Sequence, residues 1–359
     1  MKKNKTLIYI KPAESSFILT DQKLLEKHFK VLPFSLNQSA GTFSFFFKII
    51  KLSFFLSLYA NKSDVLISWF GDYHSAVMVY IAKLFKKKTI IIAGGQESIC
   101  YKELGKGVYL KKIRGAFVKY ALRNVNLILP NHASLIYHEN YFYNEKNPHI
   151  DGIRHYVHNI KGEITVVPNG IDFSRIDRDP TIDKVENLVL TVGTMNKEAD
   201  FYNKGFDLFI DLARINPDKE FVLIGTNRRY HDWIEERFKV SYLPNLTIIH
   251  SFCPDAKLKS YYNKARIYLQ ISITEGMPVS LGEAMLCECI PIGSNVNGIP
   301  DAIGNTGVII YKREIDELNL ALKSAFNMNT GASARDRIID NFSLRQREIT
   351  LTDLISKYV

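Results

Sequence analysis

Short β-rich apolar runs recur along this chain with helix-like segments between them, and they recur in two separate series. The first is TLIYI (6–10), VLISWF (65–70), KTIIIAG (88–94), LILPN (127–131) and ITVVPN (164–169). The second is LVLTVG (188–193), FVLIG (221–225), LTIIHSF (246–252), IYLQISI (267–273), CIPIGS (289–294) and GVII (307–310). Runs this continuously apolar suit strands buried on both faces, the condition of a parallel sheet covered by helices. The series are divided by VPNGIDFSRIDRDPTIDK, where Asn-Gly and Asp-Pro punctuate the chain, and the charged stretch PTIDKVEN. The pattern predicts two doubly wound α/β domains, with ligands beyond the carboxyl ends of the strands, in a cleft where the domains face each other. A length of 359 residues suits two domains of ordinary size.

Composition narrows the partners. The net charge of +10 favours an anion: a phosphorylated small molecule, a phospholipid surface or a nucleic acid. The aromatic–basic stacking platforms of single-strand binders are not evident, so no nucleic acid is expected. The densest basic runs, KLFKKK (83–88) and YLKKIRGAFVKYALR (109–123), read as solvated helix faces. Four cysteines form neither a disulfide framework nor a zinc ribbon, which points to a reducing cytosol. The basic head MKKNK precedes an apolar run too short for a signal peptide, which reads as a first strand. The aromatic segment FSFFFKIIKLSFFLSLYA (43–60) is interrupted by Lys48 and Lys51 and makes a poor membrane span. It reads as a crossover helix buried against the first sheet; the alternative is a helix lying in a membrane interface beside basic patches.

The stretch TEGMPVSLGEAM (274–285) is a strand–turn–helix corner carrying two acids, Glu275 and Glu283. A helix N-terminus presents unpaired N–H groups and partial positive charge, so the turn Gly276, Met277, Pro278, Val279 and Ser280 is a natural seat for phosphate. Glu283, about one helical turn in, is placed to accept hydrogen bonds from vicinal hydroxyls such as a ribose diol. Glu275 would reach the other side of the phosphate. After the first strand of the second series, Lys197, Lys204 and Gly205 follow, and Lys204 would bring a cation to the same phosphate. A nucleoside diphosphate joined to a sugar has that layout of charge and hydroxyls.

The run EGMPVSLGEAM resembles the E-x7-E signature of the retaining glycosyltransferases of family 4, which have the GT-B fold. VPNGID (167–172) is similar to that family's hinge, NKGFDLFIDL to its lysine–glycine helix start, and SNVNGIPDAIGNTGVI (294–309) to its G-x-P-[ED] segment. IIDNFSLRQREITLTDLISKY resembles its last helix. The resemblance covers most of the chain. It implies an acceptor-side Rossmann-like domain over 1–168, with the helix 343–359 packing back onto it, and a nucleotide-sugar-binding domain over 169–342. It implies that Glu283 binds the ribose, that Glu275 meets the donor sugar or its phosphate, and that the amides of Met277 to Ser280 hold the diphosphate with Lys204. Such enzymes use a UDP- or GDP-linked sugar as substrate and need no metal or other cofactor. The leaving phosphate itself takes the acceptor's proton in a front-face substitution. The implied role is sugar transfer to a glycan or lipid-linked acceptor for cell-surface polysaccharide or lipopolysaccharide, in the cytoplasm at the inner membrane face. The alternatives are a nucleotide-sugar epimerase of similar build and a non-catalytic anion- or nucleic-acid-binding protein.

Three departures mark this chain. Thr194 follows Gly193 where the family often has an arginine, leaving Lys197 as the substitute cation. The loop after the first strand reads KPAESSF in place of a glycine-rich one. Gly94 and Gly95, followed by Gln96 and Glu97, stand where many members carry a histidine. Asp72 and His74 in SWFGDYHS, and His132 after the strand 127–131, complete the acceptor-side candidates, with helix caps as their other reading. His149, His155 and His158 read as part of a polar loop with no metal site.

Overall fold

The computed structural model describes residues 5–36, 42–250 and 253–359, so Ser251 and Phe252 of the run 246–252 lie outside the described residues. The chain divides into two compact units: residues 1–138, 150–169 and 345–359 form the first, and 139–149 with 170–344 form the second. Residues 139–149, expected in the N-terminal domain, group with the second unit.

The first unit is built on a six-stranded sheet in the order β2-β1-β3-β4-β5-β8. Its strands are β1 (Thr6–Lys11), β2 (Lys30–Ser35), β3 (Val65–Trp69), β4 (Lys88–Ala93), β5 (Leu127–Pro130) and β8 (Glu163–Ile164). A two-stranded ribbon, β6 (His138–Asn140) with β7 (His149–Asp151), intervenes in the chain. Every pairing in the six-stranded sheet is parallel. β2, KVLPFS, is a strand the hydrophobic pattern does not announce. Pro33 removes a ladder donor, which an edge strand tolerates, and β2 is at the edge. At the other edge only two residues of the run 164–169 count as strand, yet Thr165 and Val167 still donate to Ile128 and Pro130.

Period-two alternation sorts this sheet's residues into two cores. Ile8, Ile10, Leu66, Ile91 and Ile128 face a layer containing α2 (Thr42–Tyr59), α3 (Tyr73–Leu84) and α4 (Lys112–Asn124), with α1 (Ser16–His28) on the other side. On that other side Leu7, Tyr9, Val65, Ile67 and Trp69 meet α1 and the C-terminal helix Leu344–Ser356, through Leu351 and Ile355.

The second unit has the order β11-β10-β9-β12-β13-β14, with β9 (Val185–Val192), β10 (Glu220–Thr226), β11 (Leu246–His250), β12 (Ala265–Gln270), β13 (Ile290–Ser294) and β14 (Val308–Ile310). All its pairings are parallel. The order reverses between β9 and β12, which are neighbours although two strands and their helices separate them in sequence. Such a switch point leaves a crevice at the strands' carboxyl ends, because successive connections leave to opposite sides.

One buried cation holds the C-terminal helix to the first unit. Arg347 is bidentate to Asp21 of α1, at 2.6 and 2.7 Å, and donates to the carbonyls of Val167 (3.0 Å) and Pro168 (2.6 Å). Its guanidinium also lies 5.7 Å from the centre of the Trp69 ring. Both partners of the ion pair are almost wholly buried, so removing one leaves the other charged and out of water. We expect Arg347→Ala to lower the stability of the first unit by about 3–5 kcal/mol. Lys27→Ala, which removes an exposed partner of Glu348, should cost under about 1 kcal/mol. Urea unfolding followed by Trp69 fluorescence in a Trp233→Phe background checks both; equal costs would contradict the assignment.

Candidate functional site

The expected donor residues converge at the switch point of the second sheet. β9 ends at Val192 and is followed by Gly193 and Thr194; β12 ends at Gln270 and is followed by the loop that carries Glu275. Between them, Lys204 closes the short helix α6 (Glu198–Asn203, after the brief α5, Ile153–Tyr156), and Gly205 opens α7 (Phe206–Ile215). Lys204 Nζ and a Glu275 carboxylate oxygen form an ion pair in which both side chains are about one-fifth exposed.

Glycine makes this approach sterically possible at two places. A Cβ on Gly205, whose φ is +70°, would stand 2.4 Å from the Ile271 carbonyl oxygen. A Cβ on Gly225, φ +104°, would stand 2.1 Å from the Gly193 oxygen. Both positions combine a left-handed backbone with contact distances that no side chain tolerates.

The loop bearing Glu275 is fixed from both flanks. Asn203 accepts from the Ile273 N–H at 2.8 Å and donates through Nδ2 to the Thr274 carbonyl at 3.3 Å. From the segment after β13, Asn297 Oδ1 accepts the Glu275 N–H at 3.0 Å, and Gly298 N–H donates to the Gly276 carbonyl at 3.0 Å. Met277 and Pro278 are buried, and Pro278 is the residue before α10 (Val279–Leu286; α8 is His231–Phe238 and α9 Asp255–Lys264). No side chain caps α10 and no acid sits in its first turn, so nothing in the helix competes with an anion at its N-terminal amides. Ser280 Oγ donates to Gln270 Oε1 at 3.2 Å. Val279 is half-buried.

Glu283 is buried on α10, and two neighbours meet it. Arg175 donates to Oε1, and the Tyr262 hydroxyl donates to Oε2 at 3.2 Å. Burial raises the Glu283 pKa, opposed chiefly by the Arg175 charge. The same guanidinium holds Asp255 with two bonds of 3.0 Å. Arg175 is a residue that sequence reasoning missed: it lies 108 positions from Glu283, in a stretch read only as a domain break. Thr194 and Lys197 are exposed on the loop after β9, where the Lys197 N–H donates to Asp200 at 3.1 Å.

The acceptor-side candidates gather at the carboxyl ends of β3, β4 and β5 in the first unit, where many take structural partners. Asp72 is the N-cap of α3: it accepts from the Tyr73 N–H at 2.8 Å, receives Ser75 in a capping box, and pairs with Arg114. His74 is fully buried; its Nε2 lies 2.8 Å from the Trp69 carbonyl, and burial lowers its pKa. In this conformation His74 offers no surface to an acceptor. His132 Nδ1 is 2.9 Å from Ser134 Oγ and accepts the Ser134 N–H, as a cap does. Gln96 is exposed, whereas Glu97 is fully buried and accepts N–H groups from Gly71, Gly94 and Gly95 at 3.4, 3.1 and 3.3 Å. Among the described residues no cluster of three or more His, Cys, Asp or Glu is arranged to hold a metal ion.

Two parallel-sheet units with an anion-ready helix start at a switch point define a chain of glycosyltransferase B architecture. Residues 172–343 match the family described as glycosyl transferases group 1, and the chain belongs to that family. A phosphatidylinositol N-acetylglucosaminyltransferase of Arabidopsis thaliana is 21% identical over 170 residues, covering 46% of this chain and 37% of that protein. The GPI3 polypeptide of the same transferase in Saccharomyces cerevisiae is 27% identical over 184 residues, covering 46% and 38%. The matched segments thus span well under half the length of these relatives. Sucrose-phosphate synthase from Thermosynechococcus elongatus superposes with a TM-score of 0.74 at 13% identity, over 99% of both chains. Anabaena HepE in complex with UDP-glucose gives 0.69 at 15%, over 98% and 99%. At such identities the structures show a shared fold.

Burial pushes the Glu97 carboxyl up to about 7, against the opposing pull of the backbone amides. An ordinary carboxyl titrates near about 4.3, so between about pH 5 and 7 the folded state holds more protons than the unfolded one. Stability from Glu97 is therefore greatest at low pH and is lost as pH rises through that window. We expect Glu97→Gln to flatten the fall in unfolding free energy between about pH 5 and 8. Parallel pH profiles for variant and wild type would refute the assignment.

Proposed function

We propose that the chain transfers a sugar from a nucleotide-sugar donor, UDP- or GDP-linked, to a glycan or lipid-linked acceptor with retention of configuration. The observation that carries this reading is the Lys204–Glu275 pair beside the uncapped start of α10, at the carboxyl ends of β9 and β12. Family membership, and the complexes of HepE with UDP and with UDP-glucose, support the donor class. The names of the curated relatives support a lipid-linked acceptor.

In this reading the diphosphate sits on the amides of Met277 to Ser280 and draws Lys204 Nζ toward it, with Gly193, Thr194 and Lys197 on the facing loop. Glu283, already oriented by Arg175 and Tyr262, accepts from the ribose hydroxyls with its remaining lone pairs. Glu275, released from Lys204, meets the donor sugar. As the bond between the anomeric carbon and the phosphate oxygen breaks, negative charge grows on the leaving diphosphate, where the preorganised lysine and amides stabilise it. The acceptor oxygen bonds to the same face of the anomeric carbon, and its proton passes to the leaving phosphate. The protein supplies charge compensation from its own side chains, so we expect turnover without added metal. The acceptor is assigned to the first unit near Asp72, Gln96 and Glu97. The four free thiols suit a cytoplasmic setting, and the product class we infer is a surface polysaccharide or lipopolysaccharide.

Glu275→Gln and Lys204→Ala should each cut sugar transfer at least about tenfold, because interactions made in the transition state act on kcat. The folded state of each variant is checked by thermal unfolding. UDP or GDP should raise the wild-type Tm, since a ligand bound only by the native state stabilises it. Wild-type turnover in either folded variant, or a product that is an epimerised nucleotide-sugar, would overturn the reading.

A further inference from the structure

The first unit carries an outer face with the wrong polarity for water. α2 buries one edge, through Leu52 and Leu56, against the sheet. Its opposite edge, where a surface helix ordinarily carries polar side chains, presents Phe46, Phe47, Ile50, Phe54 and Leu58, with Phe54 67% exposed. These positions recur every three to four residues and form one stripe. The expectation of a wholly buried crossover helix is therefore corrected: the helix is apolar on both sides, and only one is covered.

The stripe continues onto neighbouring helices. On α3, Tyr80 and Leu84 are exposed, and on α4, Ile113 and Phe117. Ring contacts run from Phe45 of α2 to Tyr73 of α3 (5.6 Å) and on to Phe117 of α4 (5.2 Å). Between the three helices lies an apolar depression of about 550 Å³, walled by Ser53, Val77, Tyr80, Phe117 and Tyr120. Exposed apolar area that is contiguous, not scattered, marks a surface built to meet something.

The charge on this face selects what it meets. α2, α3 and α4 contain no Asp or Glu at all, but they carry Lys48, Lys51, Lys83, Lys112, Arg114, Lys119 and Arg123. Lys86, Lys87 and Lys88 extend the run past α3, and Lys111 precedes α4. Of these cations, Arg114 is engaged with Asp72. Apolar side chains bordered by lysines, with no acid among them, complement a surface that is oily within and negative at its rim.

We propose that this three-helix face docks on an anionic lipid bilayer, with the α2 stripe at the boundary between headgroups and acyl chains and the lysines among the headgroups. The depression between the helices receives an acyl segment. No helix among the described residues is long and apolar enough to cross a membrane, so the contact is one of lying on the surface. The inference rests on the lipid-linked acceptor reading only for the reason a membrane is visited; the docking stands on this face.

The test uses the full chain with phosphatidylcholine vesicles, with and without phosphatidylglycerol, and with no donor or acceptor present. We expect co-sedimentation with the anionic vesicles at low salt, release as salt rises, and weak binding to the neutral ones. Phe47→Glu with Phe54→Glu, both at exposed positions, should lower the partition coefficient at least about tenfold while leaving Tm unchanged. Should that pair fail to fold, Phe54→Trp gives a second readout: its emission shifts to the blue with anionic vesicles. The proposal is overturned if the chain stays in the supernatant, if the double variant binds like wild type, or if Phe54→Trp emission is unmoved. A concentration-dependent dimer broken by the double variant also overturns it, because a second copy of the chain then covers the face. Sugar transfer to a water-soluble acceptor is measured separately: its loss with vesicle binding intact would refute the proposed function and leave the docking face standing.

Discussion

The parting of β9 and β12 at their carboxyl ends is the constraint on which the second unit's chemistry depends. Parallel neighbours that belong to opposite halves of a doubly wound sheet send their loops to opposite sides, leaving backbone ends with nothing between them. Into that gap the sequence places small residues where backbones nearly touch, Gly193, Gly205 and Gly225, and charged residues where a ligand would enter, Lys204 and Glu275. The pairing of these two charges gives the unliganded site a neutral resting state. An arriving diphosphate exchanges one anionic partner of the lysine for another, so the cation need not be desolvated afresh.

Burial raises the cost of every charge nearby, and the structure meets that cost with networks. Glu283 would be expensive inside α10 without the Arg175 guanidinium and the Tyr262 hydroxyl, which fix its orientation. Arg175 is in turn held by Asp255 at the start of α9. The first unit uses the same logic at Arg347 and Asp21. Glu97 differs, since only backbone amides meet it; its carboxyl is pushed up to about 7 and titrates near neutrality. A buried acid in that state, at the carboxyl end of β4, has the properties of a group that responds to a bound polar acceptor.

The strands buried on both faces were legible because nothing but a parallel sheet explains runs such as TIII and LVL. The corner 274–285 was legible because its residue types and spacing are local. What the sequence hid was set by contacts between distant positions. β2 is half exposed at an edge and contains a proline, so it lacks the hydrophobic signal of a core strand. Arg175 meets Glu283 only after the chain folds, and a lone arginine in a polar stretch has no pattern to announce it. The brackets from Asn203 and Asn297 are equally non-local. The aromatic content of α2 was plain, but which of its sides is covered depends on where α3 and α4 lie. Asp72 and His132 could be read as caps or as ligand contacts; the geometry displays the caps.

Hydrogen exchange on the full chain, with and without UDP or GDP, tests the assignment of the donor site most directly. Backbone amides that hold a diphosphate, and loops that close on it, exchange more slowly when it is bound. We expect protection to appear first at 193–205 and 274–284, the two loops at the β9 and β12 ends. Protection confined to 65–135 would put the nucleotide on the first unit and contradict the central claim.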